Sequence, residues 1–125
     1  LDGGRVVIVG LGVDITDLSR IKRAQERSSH FARRVLTPNE LQFYGTLSQR
    51  RQLEFLGGRY SAKEAYSKAY GTGIGSHLSF QDIEILNEDS GQPQIVIQPL
   101  GEDVNCLVSI SHTAKLVLTE VVLER

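Results

Sequence analysis

The 125 residues hold a single cysteine, no methionine, no tryptophan, and only three prolines and three histidines. One cysteine builds neither a disulfide framework nor a cysteine-rich metal site. Cys106 stands in Val104-Asn105-Cys106-Leu107-Val108, a strand-like run where a structural thiol is expected rather than a nucleophile. The histidines, His30, His77 and His112, are scattered and lack the spacing of zinc ligands. No apolar run approaches the roughly 20 residues of a membrane-spanning helix, and residues 1–5 lack the charged-then-apolar order of a secretion signal. Methionine is missing even at position 1, as a processed start or a shortened chain would leave it. A reducing compartment, the cytoplasm, is the expectation. The length suits one domain spanning residues 1–125.

Excess charge of either sign is also missing. The formal net charge of −1 excludes a globally basic nucleic-acid binder. The charge is unevenly spread, however. Residues 20–34 read RIKRAQERSSHFARR, with six basic residues and one acid, Glu26, whereas acids collect around residues 82–89 and at Glu102-Asp103. Such a stretch is either a solvated helix face or a surface for an acidic partner or phosphate-bearing ligand.

Arg5-Val6-Val7-Ile8-Val9-Gly10 reads as a short β-branched strand closed by glycine. Thr16 or Asp17 can cap a helix beginning near Leu18, which Ser28-Ser29 interrupts before a second helical piece over residues 31–36. Thr37-Pro38-Asn39-Glu40 carries a capping box with proline at the first helical position, and that helix ends near Gly45. A longer helix is predicted from about Gln49 to Tyr70, stopped by Gly71 in a left-handed conformation. Gly57-Gly58 inside it marks a bend or a close approach to the backbone. Beyond Gly75 the period changes. Strands are predicted at 78–86 and 94–98 around a turn at 87–93, then at 106–111 and 116–123 around a turn containing His112. One strand, several helices and then four strands give an α+β fold with a largely antiparallel sheet packed against the helices.

Tyr60, Glu64 and Lys68 recur every fourth residue and form one column on a helix. A Glu followed four residues later by Lys is also an ordinary surface ion pair, worth about 0.3–0.5 kcal/mol. The column runs directly into Gly71-Thr72-Gly73-Ile74-Gly75, either a flexible turn or a concavity of backbone N–H groups for an anion. Asp14, in the glycine-bracketed Gly10-Leu11-Gly12-Val13-Asp14, is either a helix cap or a second carboxylate. One or two lone carboxylates beside a phosphate-bearing ligand are how Mg2+ is commonly held. His112, between Ser111 and Thr113 and near Lys115, is a structural hydrogen-bonding residue or a phosphate contact.

Five segments together resemble a family. They are Gly10-Leu11-Gly12-Val13-Asp14-Ile15, Arg34-Val35-Leu36-Thr37-Pro38-Asn39-Glu40-Leu41, Phe55-Leu56-Gly57-Gly58-Arg59-Tyr60-Ser61-Ala62-Lys63-Glu64-Ala65, Gly71-Thr72-Gly73-Ile74-Gly75 and Val108-Ser109-Ile110-Ser111-His112-Thr113. In order and over residues 7–124, they resemble the holo-[acyl-carrier-protein] synthases, small stand-alone bacterial 4′-phosphopantetheinyl transferases. The resemblance implies transfer of 4′-phosphopantetheine from coenzyme A to a serine of apo acyl carrier protein, with release of adenosine 3′,5′-bisphosphate, in support of fatty acid biosynthesis. It implies Mg2+ held by Asp14 and Glu64, with Lys68 against the same phosphates and these three as the catalytic set. It further implies cofactor contacts from Arg59, Gly71, Gly73, Gly75, His112 and Thr113. Arg20 and Arg27 would receive the acidic carrier protein, and a homotrimer would place coenzyme A between subunits. Ser111 stands where the family often has threonine, and Leu116 near a position often aromatic.

Two other functions fit the residues alone. One is a non-catalytic phosphate- or nucleotide-binding module that docks an acidic protein. The other is a metal-dependent phosphohydrolase in which water replaces the serine.

Overall fold

The computed structural model describes residues 4–125. In chain order the elements are β1 (Ile8–Asp17), α1 (Leu18–Arg27), α2 (His30–Val35), α3 (Pro38–Tyr44), α4 (Gln49–Tyr70), β2 (Glu84–Asn87), β3 (Pro93–Ile97), β4 (Asn105–His112) and β5 (Leu116–Glu124). Every strand pairing is antiparallel, in the order β1-β5-β4 in one sheet and β2-β3 in a second. The α+β expectation therefore stands, with the strands divided between two sheets.

The helices begin and end where local chemistry dictates. Asp17 caps α1 by accepting from the Ser19 N–H, and Ser28 closes it. The Thr37–Glu40 capping box opens α3, and Pro38 occupies its first turn. Ser48 caps α4, and Gly71 ends it at φ 106°. The α4 helix is the central beam. One core cluster packs its C-terminal half (Ala62, Ala65, Tyr66) against Ile83, Ile85, Val121 and Leu123. A second gathers Leu56 with Ile21, Phe31, Ala32, Val35 and Leu36 from the shorter helices.

Two expectations change. The first strand does not stop at Gly10; it runs from Ile8 to Asp17 through both glycines. A Cβ on Gly12 would lie 1.9 Å from the Ala65 carbonyl oxygen, and one on Gly10 would lie 2.5 Å from that of Ala69. The glycines let β1 lie directly on the backbone of α4. Nor is 78–86 a continuous strand. Ser79 and Asp82 form a capping box around the 3-10 turn Phe80–Asp82, and β2 begins only at Glu84. Short side chains that satisfy the local backbone compete there with sheet pairing.

Behind α4, Lys63 is fully buried. Its ammonium donates to Glu40 Oε1 (2.6 Å), to the Val35 carbonyl (2.7 Å) and to the Phe80 carbonyl (3.1 Å). Glu40 Oε2 in turn accepts from the Ile85 N–H. Thr37 donates to the buried Glu84. Burial pushes the Lys63 ammonium below the usual lysine range, opposed by the Glu40 charge. This network ties α2, α3 and β2 to α4.

Candidate active site

β1 and α4 bring the two sequence-predicted acids together. Asp14 sits on the inner face of β1, opposite Thr119 of β5, and its carboxylate faces α4. Because Asp17 caps α1, Asp14 is left free of that duty. Lys68 donates to Asp14 Oδ1 (3.2 Å) and to the Val13 carbonyl (2.9 Å). Thr16 and Ser61 donate to Asp14 Oδ2, at 2.6 and 2.8 Å.

Glu64 lies one turn before Lys68 on the same column. Its carboxyl is raised above the usual range by burial first and by the Asp14 charge second, while Lys68 and Arg20 oppose the shift. No side chain among the described residues donates to the Glu64 carboxylate. Two carboxylates close enough for the Asp14 charge to raise the Glu64 pKa, with Lys68 bonded to Asp14, form a site of negative charge that a hard cation would relieve. Among the described residues no group of three or more His, Cys, Asp or Glu could hold a metal. A two-carboxylate donor set suits an ion that keeps waters and takes its other ligands from phosphate, as Mg2+ does.

Tyr60 completes the column. Its ring lies between Phe31 (5.9 Å) and Phe80 (5.5 Å), and its hydroxyl pKa is raised by burial and then by Glu64. On the α1 side, Tyr60 closes a cleft of about 590 Å³ lined by Arg20, Arg23, Arg27, His30 and Arg34. Both predicted partner-binding arginines are thus exposed in one basic cleft that opens beside the acids. Arg23 and Arg34, which the family resemblance did not single out as site residues, belong to the basic stretch 20–34 that the sequence marked. The helical spacing of 20, 23 and 27 was the available signal.

The remaining predicted residues lie elsewhere. Arg59 is nine positions before Lys68, half a turn around α4 and on the opposite side. It is buried at 5% exposure, with Nε donating to the Ile85 carbonyl and Nη2 to Asn87 Oδ1, both at 3.0 Å. Its guanidinium stacks 4.3 Å from the Phe55 ring centroid, and burial lowers its pKa to about 10. Two of the five guanidinium N–H donors of Arg59 thus anchor β2 to α4. Arg59 also lines a cavity of about 210 Å³, together with Arg51, Glu54 and His112.

His112 ends β4, exposed, with Nδ1 4.0 Å from Glu54. Thr113 uses its hydroxyl oxygen to accept from the Lys115 and Leu116 N–H groups, so it shapes the turn. The Gly71 and Gly73 N–H groups both donate to the Ser67 carbonyl, and that of Gly75 donates to the Leu78 carbonyl. The first two bonds close the C-terminus of α4 and the third closes the loop that follows it. Cys106 behaves as expected, half-buried with its thiol pushed up to about 12 by burial. Among the described residues no helix is long and apolar enough to cross a membrane.

Comparison with known proteins agrees with this arrangement. Residues 10–121 match the 4′-phosphopantetheinyl transferase superfamily. A holo-[acyl-carrier-protein] synthase of Levilactobacillus brevis is 55% identical over 119 residues, covering 95% of this chain and 96% of the relative. The crystal structure of a holo-(acyl-carrier-protein) synthase from Bacillus anthracis in complex with CoA (3′,5′-ADP) superposes with a TM-score of 0.85. It is 44% identical over 94% of this chain and 96% of that one. The Helicobacter pylori holo-[acyl-carrier-protein] synthase in complex with coenzyme A gives a TM-score of 0.79 at 31% identity, over 90% of this chain and 98% of that one. The chain belongs to the 4′-phosphopantetheinyl transferase superfamily, within its holo-[acyl-carrier-protein] synthases.

Proposed function

We propose that Asp14, Glu64 and Lys68 form the centre at which this chain transfers 4′-phosphopantetheine from coenzyme A to a serine of apo acyl carrier protein. The observation that carries this reading is the meeting of two distant acids, Asp14 on β1 and Glu64 on α4, with Lys68 bonded to the first of them. The whole chain, residues 1–125, acts as one transferase domain serving fatty acid synthesis in the cytoplasm.

In the reaction the serine oxygen forms a bond to the phosphorus that bears pantetheine. The P–O bond to adenosine 3′,5′-bisphosphate breaks, and the bisphosphate leaves with the electron pair. Catalysis of such a transfer rests on positioning and on neutralising phosphate charge. Asp14 and Glu64 would hold Mg2+, which supplies charge neutralisation on the diphosphate. Lys68, exposed beyond Asp14, adds a second positive charge from the protein. The serine proton leaves to Glu64 or to a water held at Asp14. The basic cleft of Arg20 and Arg27 takes the acidic carrier and delivers its serine past Tyr60 to the acids.

A homotrimer completes the site. Leu11, Val13 and Ile15 of β1 are between 45% and 64% exposed, and Leu107 of β4 with Leu116 and Leu118 of β5 are between 41% and 50% exposed. Register puts Leu11 beside Val122, Ile15 beside Leu118, and Leu107 beside Val122, all on the sheet face turned away from α4. Apolar surface of this extent marks an interface. His112 and Arg59 lie across α4 from Lys68, so coenzyme A would take its diphosphate contacts from one subunit and its His112 contact from a neighbour.

The decisive experiment incubates the protein with coenzyme A, Mg2+ and apo carrier protein, then weighs the carrier by mass spectrometry. A mass gain of one phosphopantetheine group is expected. Consumption of coenzyme A without that gain would establish a hydrolase, and carrier binding without either change a docking module.

A further inference from the structure

The two oxygens of the Asp14 carboxylate are not equivalent. Oδ2 accepts from Thr16 Oγ1 at 2.6 Å and from Ser61 Oγ at 2.8 Å. A carboxylate oxygen offers two lone-pair sites, so both are taken. Oδ1 accepts from Lys68 alone and keeps a site open. Ser61 Oγ also lies 2.8 Å from Thr119 Oγ1. A hydroxyl has one proton, and that of Ser61 goes to Asp14; Thr119 must therefore donate to Ser61. The relay runs Thr119 to Ser61 to Asp14. Thr16, Ser61 and Thr119 are at most 3% exposed and come from β1, α4 and β5. Alanine at 61 and valine at 119 would fill nearly the same space without burying polar groups, which costs free energy unless they are paired.

We infer that Thr16, Ser61 and Thr119 are positioning residues that commit Oδ2 and make Asp14 a one-oxygen ligand through Oδ1, favouring Mg2+ over Ca2+. The inference rests on the reading of Asp14 as a metal ligand. Mg2+ demands near-octahedral geometry with short bonds and keeps several waters, whereas Ca2+ accepts bidentate carboxylates and flexible coordination. A carboxylate that offers one oxygen and cannot swing withholds what Ca2+ gains most from. Hydrogen bonds to ligating carboxylates typically change metal affinity 10- to 100-fold on removal.

The test uses the full chain saturated with coenzyme A and without carrier, so that no turnover occurs. Mg2+ and Ca2+ are titrated separately by calorimetry. Ser61→Ala is expected to weaken Mg2+ about tenfold and Ca2+ by less, lowering the ratio of the two affinities. Thr119→Val should shift the ratio in the same direction by a smaller factor, and Thr119→Ser, which keeps the hydroxyl, should restore it. Melting of the metal-free variants checks that each folds. Asp14→Asn separates the two levels of the argument. If it leaves Mg2+ affinity unchanged, the metal reading itself fails. If it removes Mg2+ binding while Ser61→Ala keeps both affinities, only the positioning role is overturned. Equal losses of Mg2+ and Ca2+ in Ser61→Ala overturn the selectivity.

Discussion

Glu64 is the residue at which function and stability pull in opposite directions. Burial and the neighbouring Asp14 raise its carboxyl above the usual range, so its charged form is unwelcome in the folded chain. Between the ordinary and the raised value the folded state binds more protons than the unfolded one. Stability from this group is therefore complete in acid and is lost as pH rises through the folded value. Glu64→Gln removes that loss. The variant is expected to melt above the parent at about pH 7.5, with the difference closing near pH 3, below the ordinary glutamate value of about 4.3, where the parent carboxyl is protonated in both states. Melting curves at the two values check it. Asp14→Ala and Glu64→Ala should each abolish phosphopantetheine transfer while leaving the circular dichroism spectrum unchanged. Near-normal transfer by both would remove the metal assignment. At this scale the sequence was informative where spacing is enforced by a helix, as in Tyr60, Glu64 and Lys68. It was silent on Ser61 and Thr119, because a buried hydroxyl looks in sequence like any small core residue until its partner across the fold is known.

Among the elements, the β1–α4 contact decides whether the acids meet at all. Gly10 and Gly12 admit the Ala69 and Ala65 carbonyls where a Cβ would stand. Gly12→Ala is expected to destabilise the chain by about 1–3 kcal/mol, as overpacking of a close contact does. It should also cut transfer more than the loss of stability explains, since Asp14 moves with the strand. Urea unfolding and kinetics on the same preparation separate the two effects. On the far side of the helix, Lys63→Met leaves Glu40 charged, buried and without its cation. A loss of about 3–5 kcal/mol is expected, read as a lower urea midpoint at unchanged slope. Helix boundaries were legible because caps are local, as Thr37–Glu40 and Gly71 illustrate. The course of β1 was not. Its glycines look like a strand terminator when read along the chain, and their purpose is visible only from the helix beneath. The pairs β2-β3 and β4-β5 follow chain order and were legible, whereas the pairing of β1 with β5, which divides the strands into two sheets, joins the two ends of the chain and was not.

For the molecule as a whole, the basic residues and the apolar surface lie on different sides, although Glu120 stands on the apolar face beside Val13. The basic cleft occupies the α1 side, and the apolar sheet face is turned away from α4. Arg20→Glu should weaken carrier-protein binding more than coenzyme A binding, with the gap widest at low salt, where exposed charges are least screened. Equal losses for both ligands would detach the cleft from carrier recognition. Leu118→Lys places a charge in the middle of the apolar face, beside Ile15 and Ser111. It should convert the proposed trimer to monomer in light scattering and abolish transfer together with assembly. A fully active monomer would show that each chain is self-sufficient.

Helix α4 also acts as a ruler. Its 22 residues carry Glu54, Arg59, Tyr60, Ser61, Lys63, Glu64 and Lys68, with Ser61 and Lys68 aimed at Asp14, Lys63 at Glu40 and Arg59 at β2. One residue inserted between Arg59 and Ser61 would rotate everything downstream by about 100°. Lys68 would leave the strand and Lys63 would leave its buried acid at the same stroke. Variation in length among related chains is accordingly tolerable in the connections before and after this helix and intolerable inside it.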